Sequence, residues 1–286
     1  MKELRGKNAV VTGAGSGIGR GIARKLAERG VNVACLDLDE AAAKQTAEEI
    51  SAHQVKAIGL RLDVTYRNIV YDTAAVVHET FPKVHILCNN AGIGSARMPI
   101  EETPDEDIDW IFQVNTLGVL HCIKAFVPKM KAHGEGGHVV NTASIAGLRM
   151  SPGMNQGLYA ASKMAVVGFS ENLKETLAAH NIGVSVLCPA GVNTNILTSS
   201  QRRPMKYGGP ITREAPARMV KALAEGLQPD DVGKCVVNAI EDGEMFYILP
   251  HPQTRAWVKD RFDKIMEGFD RADRMVDELG IPRTAE

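Results

Sequence analysis

Tyr159 and Lys163 stand four positions apart in Gly157-Leu-Tyr-Ala-Ala-Ser-Lys163. On a helix that spacing sets a phenol and an ammonium on one face, about one turn apart. A neighbouring cation stabilises a phenolate and lowers a pKa that starts near ~10, which moves the group toward acid/base work at neutral pH. The same spacing also suits a solvated helix face, so the pair becomes a proton-transfer device only if its surroundings supply something to reduce or oxidise.

A second cluster supplies it. Val10-Val-Thr-Gly13-Ala-Gly-Ser-Gly17-Ile-Gly19 follows a strand pattern and opens a helical one, the context in which a glycine loop cradles a pyrophosphate at a helix N-terminus. Gly13 permits the tight turn, Gly17 admits the phosphate and Gly19 allows close helix packing. The loop differs from the usual G-x-G-x-x-G by one inserted residue. Asp37 ends the next strand pattern, 24 positions after Gly13, where a carboxylate accepts hydrogen bonds from an adenosine ribose. That carboxylate repels a 2′-phosphate and Leu38 brings no cation, so NAD is expected rather than NADP. Asp39 reads as the N-cap of the following helix.

These residues need a frame. Apolar runs at 8–12, 31–37, 57–62, 84–88, 138–142, 184–188 and 245–249 read as strands buried on both faces. Helical patterns at 17–29, 39–52, 66–80, 105–132, 158–180 and 229–242 alternate with them. Such alternation implies right-handed crossovers and a parallel sheet covered on both sides, an α/β Rossmann-type doubly wound domain. The stretch 195–228, polar and rich in Gly and Pro, breaks the rhythm and reads as an irregular lid. After His251-Pro252, apolar residues Val258, Phe262, Ile265, Phe269, Ala272, Val276 and Leu279 recur at steps of four and three, a helix with one narrow stripe that fits its own domain or a partner subunit. The expected layout is a catalytic domain over 1–250 and a helical extension over 251–286.

With 286 residues, 44% hydrophobic and 23% charged, the chain can build a sizeable core. A formal net charge of −1 gives no footprint for nucleic acid or an anionic membrane. No signal peptide and no run approaching ~20 apolar residues is read, so a cytoplasmic protein is expected. Cys35, Cys88, Cys122, Cys188 and Cys235 are scattered, as reduced core thiols are, and no metal-ligand spacing occurs.

Taken in order, Thr12-Gly13-x-x-x-Gly17-Ile-Gly19, Asp63-Val64, Asn89-Asn90-Ala91-Gly92, Asn115, Ser144, Tyr159-x-x-x-Lys163 and Pro189 to Thr194 resemble the motifs of the classical short-chain dehydrogenase/reductase family over about residues 5 to 250. The resemblance implies a seven-stranded parallel sheet of order 3-2-1-4-5-6-7 and a catalytic set of Asn115, Ser144, Tyr159 and Lys163. It implies that Ser16 and Ile18 join the glycines at the cofactor, that Asp63 and Val64 meet the adenine, and that Asn90 and Gly92 line the cofactor. Lys163 then holds the nicotinamide ribose, while Pro189, Val192 and Thr194 hold the carboxamide end. In this reading Tyr159 exchanges the proton, its pKa depressed by Lys163 and the nicotinamide, Ser144 orients the carbonyl, and Asn115 holds a relay water beside Lys163.

Two departures stand out: Ala190 occupies a position where the family usually has glycine, with Gly191 able to absorb the turn, and the 15 positions from Ser144 to Tyr159 exceed the usual spacing, so 150–157 is expected to bulge into the cleft. Ile145, Leu148, Met150, Met154, Ile196, Leu197, Met205 and Tyr207 are the candidate substrate residues, and their adaptable methionines suit a bulky hydrophobic or aromatic alcohol. Arg202 and Arg203 read as lid surface or as a site for an acidic substituent. The tail, with Gly137 to Ala143 and Met245 to Pro252, also resembles bacterial dehydrogenases that oxidise the benzylic alcohol of lignin-derived aryl ethers. The implied reaction is reversible hydride transfer between a secondary alcohol and its ketone, in a homodimer or homotetramer. A dehydratase or epimerase on the same fold, or a dinucleotide sensor without catalysis, are the alternatives.

Overall fold

The computed structural model describes residues 1–150 and 153–283. Residues 1–250 form one compact unit and 251–286 a second. The first unit holds strands β1 (Asn8–Thr12), β2 (Asn32–Asp37), β3 (Ala57–Arg61), β4 (Ile86–Asn89), β5 (Gly137–Thr142), β6 (Ile182–Leu187) and β7 (Tyr247–Ile248). They form one parallel sheet of order β3-β2-β1-β4-β5-β6-β7. The chain reverses its direction of travel between β1 and β4, which opens a crevice at their carboxyl ends, the usual place for a ligand in such sheets.

Helices α1 (Gly17–Glu28), α2 (Glu40–Ser51), α3 (Arg67–Thr80), α4 (Asp105–Phe112), α5 (Gly118–His133), α6 (Gly157–Ala178), α7 (Ala217–Ala224) and α8 (Pro229–Asp242) complete the unit. Ile22, Leu26, Ile50, Val236 and Ile240 bring α1, α2 and α8 to one sheet face. Val70, Phe126, Met130 and Leu177 bring α3, α5 and α6 to the other. Every residue of β4 and β5 is buried, as strands sandwiched between helices must be. Asp39 caps α2, its Oδ1 accepting from the Ala42 N–H at 3.1 Å, as its position suggested.

Two sequence expectations change. The pattern over 105–132 is not one α-helix: α4 and α5 are joined by a π-helical turn, Gln113–Leu117, a local widening that recurs at functional sites. The combined stretch Asp105–His133 is also long and apolar enough to cross a membrane by length and composition, contrary to the sequence reading. Half of that apolar window is buried inside the protein, where Cys122, Phe126 and Met130 pack into the core, so its apolarity has a folding reason. The region 195–228 is also more ordered than its composition suggested. A 3-10 helix over Asn195–Arg202, a turn over Met205–Tyr207 and α7 occupy most of it, and a bridge from Val192 to Leu227 closes its base.

The second unit consists of a short turn, Pro252–Thr254, and helix α9 (Arg255–Glu278). Lys259 with Asp263 and Lys264 with Asp260 form exposed pairs one turn apart. Phe262, Ile265, Phe269 and Leu279 of the apolar stripe are 43 to 65% exposed.

Candidate active site

Thr12, at the end of β1, ties the two central strands together. Its hydroxyl accepts from the Asn90 and Ala91 N–H groups at 2.9 and 3.0 Å, and Asn90 Nδ2 donates to the Thr12 carbonyl at 3.0 Å. Asn89 turns the other way, donating to Asn141 Oδ1 at 2.8 Å, and so serves to end the strand. The loop after β1 is then forced tight. Gly13 and Gly17 adopt φ of 66° and 52°, which favour glycine. A Cβ at Gly19 would lie 2.1 Å from the Gly13 carbonyl oxygen, so α1 reaches the strand only without one. Gly19 is therefore packing beneath the loop, whereas Gly13, Ser16, Gly17 and Ile18 line the crevice.

The crevice encloses about 250 Å³. Asp37 stands at one end, nearly buried, with Oδ2 accepting from Gly15 N–H at 2.9 Å and Oδ1 from Asp39 N–H at 3.0 Å. Each carboxylate oxygen retains a lone pair for a ribose hydroxyl. Asp63, Val64, Asn90 and Gly92 follow along the wall, and Pro189, Val192 and Thr194 close the opposite end. A glycine-lined turn at a helix N-terminus, a carboxylate one strand away and a polar far end match the shape and donor set of a dinucleotide. When bound, a nicotinamide supplies the hydride chemistry; everything else falls to the side chains.

Three of the four expected catalytic residues line this crevice: Ser144, Tyr159 and Lys163. Ser144 leaves β5 as the cap of a short turn, accepting from Ala146 N–H at 3.2 Å. Its single hydroxyl proton is shared between the Pro189 carbonyl, 3.4 Å away, and the Tyr159 phenol. Lys163 is 3% exposed and donates to the Thr142 carbonyl at 2.9 Å. Burial lowers its ammonium pKa to about 8. Burial pushes the Tyr159 phenol up, and the hydrogen bond from Ser144 and the Arg97 charge oppose that rise. Arg97 is thus a cation that opposes the rise of the phenol, while the Lys163 ammonium is turned to a backbone carbonyl.

Asn115 lies one layer deeper, fully buried in the π-helical turn. Its Oδ1 accepts from Ile93 N–H at 2.9 Å, and its Nδ2 donates to the Ile93 carbonyl at 3.0 Å and to Ser162 Oγ at 3.2 Å. Ser162 in turn donates to the Tyr159 carbonyl at 2.8 Å. The chain Ile93, Asn115, Ser162, Tyr159 therefore fixes the loop after β4 against the first turn of α6. The structure gives the Asn115 side chain this positioning duty.

The proposed substrate residues divide. Ile196 lines the crevice, whereas Ile145, Met150, Met154, Met205 and Tyr207 do not. Met205 is 80% exposed. Tyr207 is buried in the core on the α3/α5 face, and Met150 is largely exposed. Met154 accepts a long hydrogen bond from Arg218. Within the segment expected to bulge, Ser151 and Pro152 lie outside the described residues. Trp110, Ser199, Pro204 and Leu223 line the crevice unforeseen, because only the lid's folding brings 199, 204 and 223 beside a strand end. Arg202 lines the crevice too, but Arg203 is 4% exposed and ion-paired with the buried Asp107 at 2.6 Å. It is neither lid surface nor a free anion site. Ala190 is accommodated without a left-handed backbone anywhere in 188–194, so Gly191 absorbs no such turn. The cysteines are free thiols, four of them buried, and no metal-ligating cluster occurs among the described residues.

The comparisons settle what this architecture belongs to. Residues 7–204 match the family model described as short chain dehydrogenase. The chain belongs to the short-chain dehydrogenase family. The C alpha-dehydrogenase of Sphingobium sp. (strain NBRC 103272 / SYK-6) is 32% identical over 271 residues, covering 93% of this chain and 88% of that protein. The CLA biosynthesis dehydrogenase/reductase of Lactiplantibacillus plantarum is 33% identical over 93% of this chain and 95% of its own length. A short chain dehydrogenase/reductase from Burkholderia phymatum, solved in complex with NAD, superposes with a TM-score of 0.86 at 38% identity, covering 94% of this chain and 97% of that one. The family assignment carries an oxidoreductase of Rossmann fold that takes NAD(P).

Proposed function

We propose that this chain catalyses reversible, NAD-dependent hydride transfer between a secondary alcohol and its ketone. The observation that carries the reading is the convergence of Ser144, Tyr159 and Lys163 on one wall of the dinucleotide crevice. Tyr159 takes the hydroxyl proton in oxidation and returns it in reduction. Ser144, which hydrogen-bonds the phenol, donates to the oxygen where negative charge develops. Lys163 remains on the Thr142 carbonyl and presents its remaining protons to the ribose. The resemblance to the Sphingobium C alpha-dehydrogenase supports an aromatic or otherwise bulky alcohol, and the apolar wall of Ile93, Trp110, Ile196 and Leu223 is suited to one. The buried reduced thiols favour a cytoplasmic setting.

Tyr159→Phe tests this directly. It is expected to lower kcat by about 10²- to 10⁴-fold with cofactor affinity, read by fluorescence titration, unchanged. Near-normal turnover by the variant would remove Tyr159 from the reaction.

A further inference from the structure

Arg97 belongs to none of the motifs discussed above, yet it lies in the loop that frames Tyr159. That loop runs from β4 to the turn at Ile100–Glu102, and three points of it are fastened around the site. A Cβ at Gly92 would lie 3.3 Å from Lys163 Nζ and 3.4 Å from Asn115 Oδ1. The Gly94 N–H donates to Ser199 Oγ in the lid at 3.1 Å. At the far end, a Cβ at Gly157 would lie 2.8 Å from Ile100 Cδ1, so the loop rests on the first turn of the helix that carries Tyr159.

Between these anchors Arg97 Nη1 is buried and has no hydrogen-bond partner among the described residues. No carboxylate pairs with its guanidinium there, although Arg203, Arg213, Arg20 and Arg24 all find one. The residue as a whole is only partly buried, so the cost falls on Nη1, a covered donor without an acceptor, and a guanidinium cannot relieve it by losing its proton. Burial lowers the Arg97 pKa, and its charge is felt at the Tyr159 phenol. A ligand group placed beside the phenol could supply the acceptor that Nη1 lacks.

We infer that Arg97 is a specificity-determining residue that binds an anionic substituent, a carboxylate, on the substrate whose carbinol faces Tyr159. The planar fork of a guanidinium matches the two oxygens of a carboxylate. This rests on the alcohol dehydrogenase reading above and narrows its substrate class from a bulky alcohol to a hydroxy acid and its keto acid. The aromatic body would lie on the apolar wall with the acid on Arg97.

Matched pairs test it: 4-(1-hydroxyethyl)benzoate against its primary amide, and mandelate against mandelamide, with wild-type enzyme, Arg97→Met and Arg97→Lys. The wild type should prefer the acid of at least one pair. Arg97→Met should lose about 10- to 100-fold in kcat/KM on that acid, mainly through KM, and less than about threefold on its amide. Arg97→Lys should recover part of the loss.

Equal losses on acid and amide would overturn the inference. So would an alkaline shift of the pH-rate profile on the amide with acid preference intact, because Arg97 would then act on Tyr159 alone. A second readout needs no turnover: with NADH present, 4-acetylbenzoate should raise the melting temperature of the wild type and not of Arg97→Met, while 4-acetylbenzamide should not distinguish them. If no alcohol is oxidised but this difference appears, the dehydrogenase reading fails and the anion site stands. If acid and amide stabilise both proteins alike, the anion site fails whatever the turnover.

Discussion

Asp37 holds two backbone amides, those of Gly15 and Asp39, and so shapes the glycine loop while presenting its charge to the crevice. A 2′-phosphate placed there would meet that charge at short range, in surroundings where Coulomb forces are weakly screened. Asp37→Ser should therefore raise the NADP/NAD ratio of kcat/KM by about tenfold or more, measured with a single alcohol. An unchanged ratio would mean that discrimination lies elsewhere in the crevice. Among single residues, Tyr159 and Lys163 were legible because the spacing of a phenol and an ammonium is itself a signal, and Ser144 only through the family resemblance. Arg97 was not, because an arginine in a loop looks solvated until the fold shows that its Nη1 is covered and unpaired. In the same way, a spacing of four puts Lys163 near the phenol but does not say that its ammonium donates to the Thr142 carbonyl.

At the scale of elements, the lid is held by charge. Asp107, buried in α4, accepts from Arg203 at 2.6 Å and from Arg213 at 2.5 Å, and Arg203 also donates to the Tyr207 carbonyl. Lys206 donates to Thr65 Oγ1 at 3.0 Å and lies 3.5 Å above the Tyr66 ring, tying the lid to the strand end that follows Asp63. Removing one member of a buried pair leaves the other charge uncompensated, at a cost of about 3–5 kcal/mol. Asp107→Ala should thus lower stability in urea and speed tryptic cleavage after Arg202 and Lys206, mapped by mass spectrometry. Cleavage at the wild-type rate would show that other contacts hold the lid. Composition misled here for a definite reason. Polar, Gly-rich and Pro-rich sequence reads as loop when its charges are assumed to face water, and Asp107 lies nearly a hundred positions away.

For the whole molecule, the buried imidazole of His138 links stability to pH. Its Nε2 pairs with Ser185 Oγ at 2.8 Å, and burial, aided by the Met1 ammonium, lowers its pKa from 6.5 to about 4. The unfolded chain therefore takes up this proton near pH 6.5 and the folded one only near pH 4, so stability falls as pH drops through that window, by about 3 kcal/mol in all. Burial depresses His78 and His85 in the same direction. His138→Asn should flatten the acid side of a plot of melting temperature against pH; an identical slope would assign the acid sensitivity to the other groups.

The period of the apolar runs sufficed for a parallel sheet and the ordered glycine, Asn, Ser and Tyr motifs for the family, whose resemblance implied the strand order, because local geometry dictates hydrophobic spacing and backbone-hugging glycines leave a mark in the chain. Which charges pair, which of the candidate substrate residues reach the crevice and which arginine nitrogen is covered without a partner depend on residues far apart in sequence being brought together and closed off from water, and only the tertiary structure decides that.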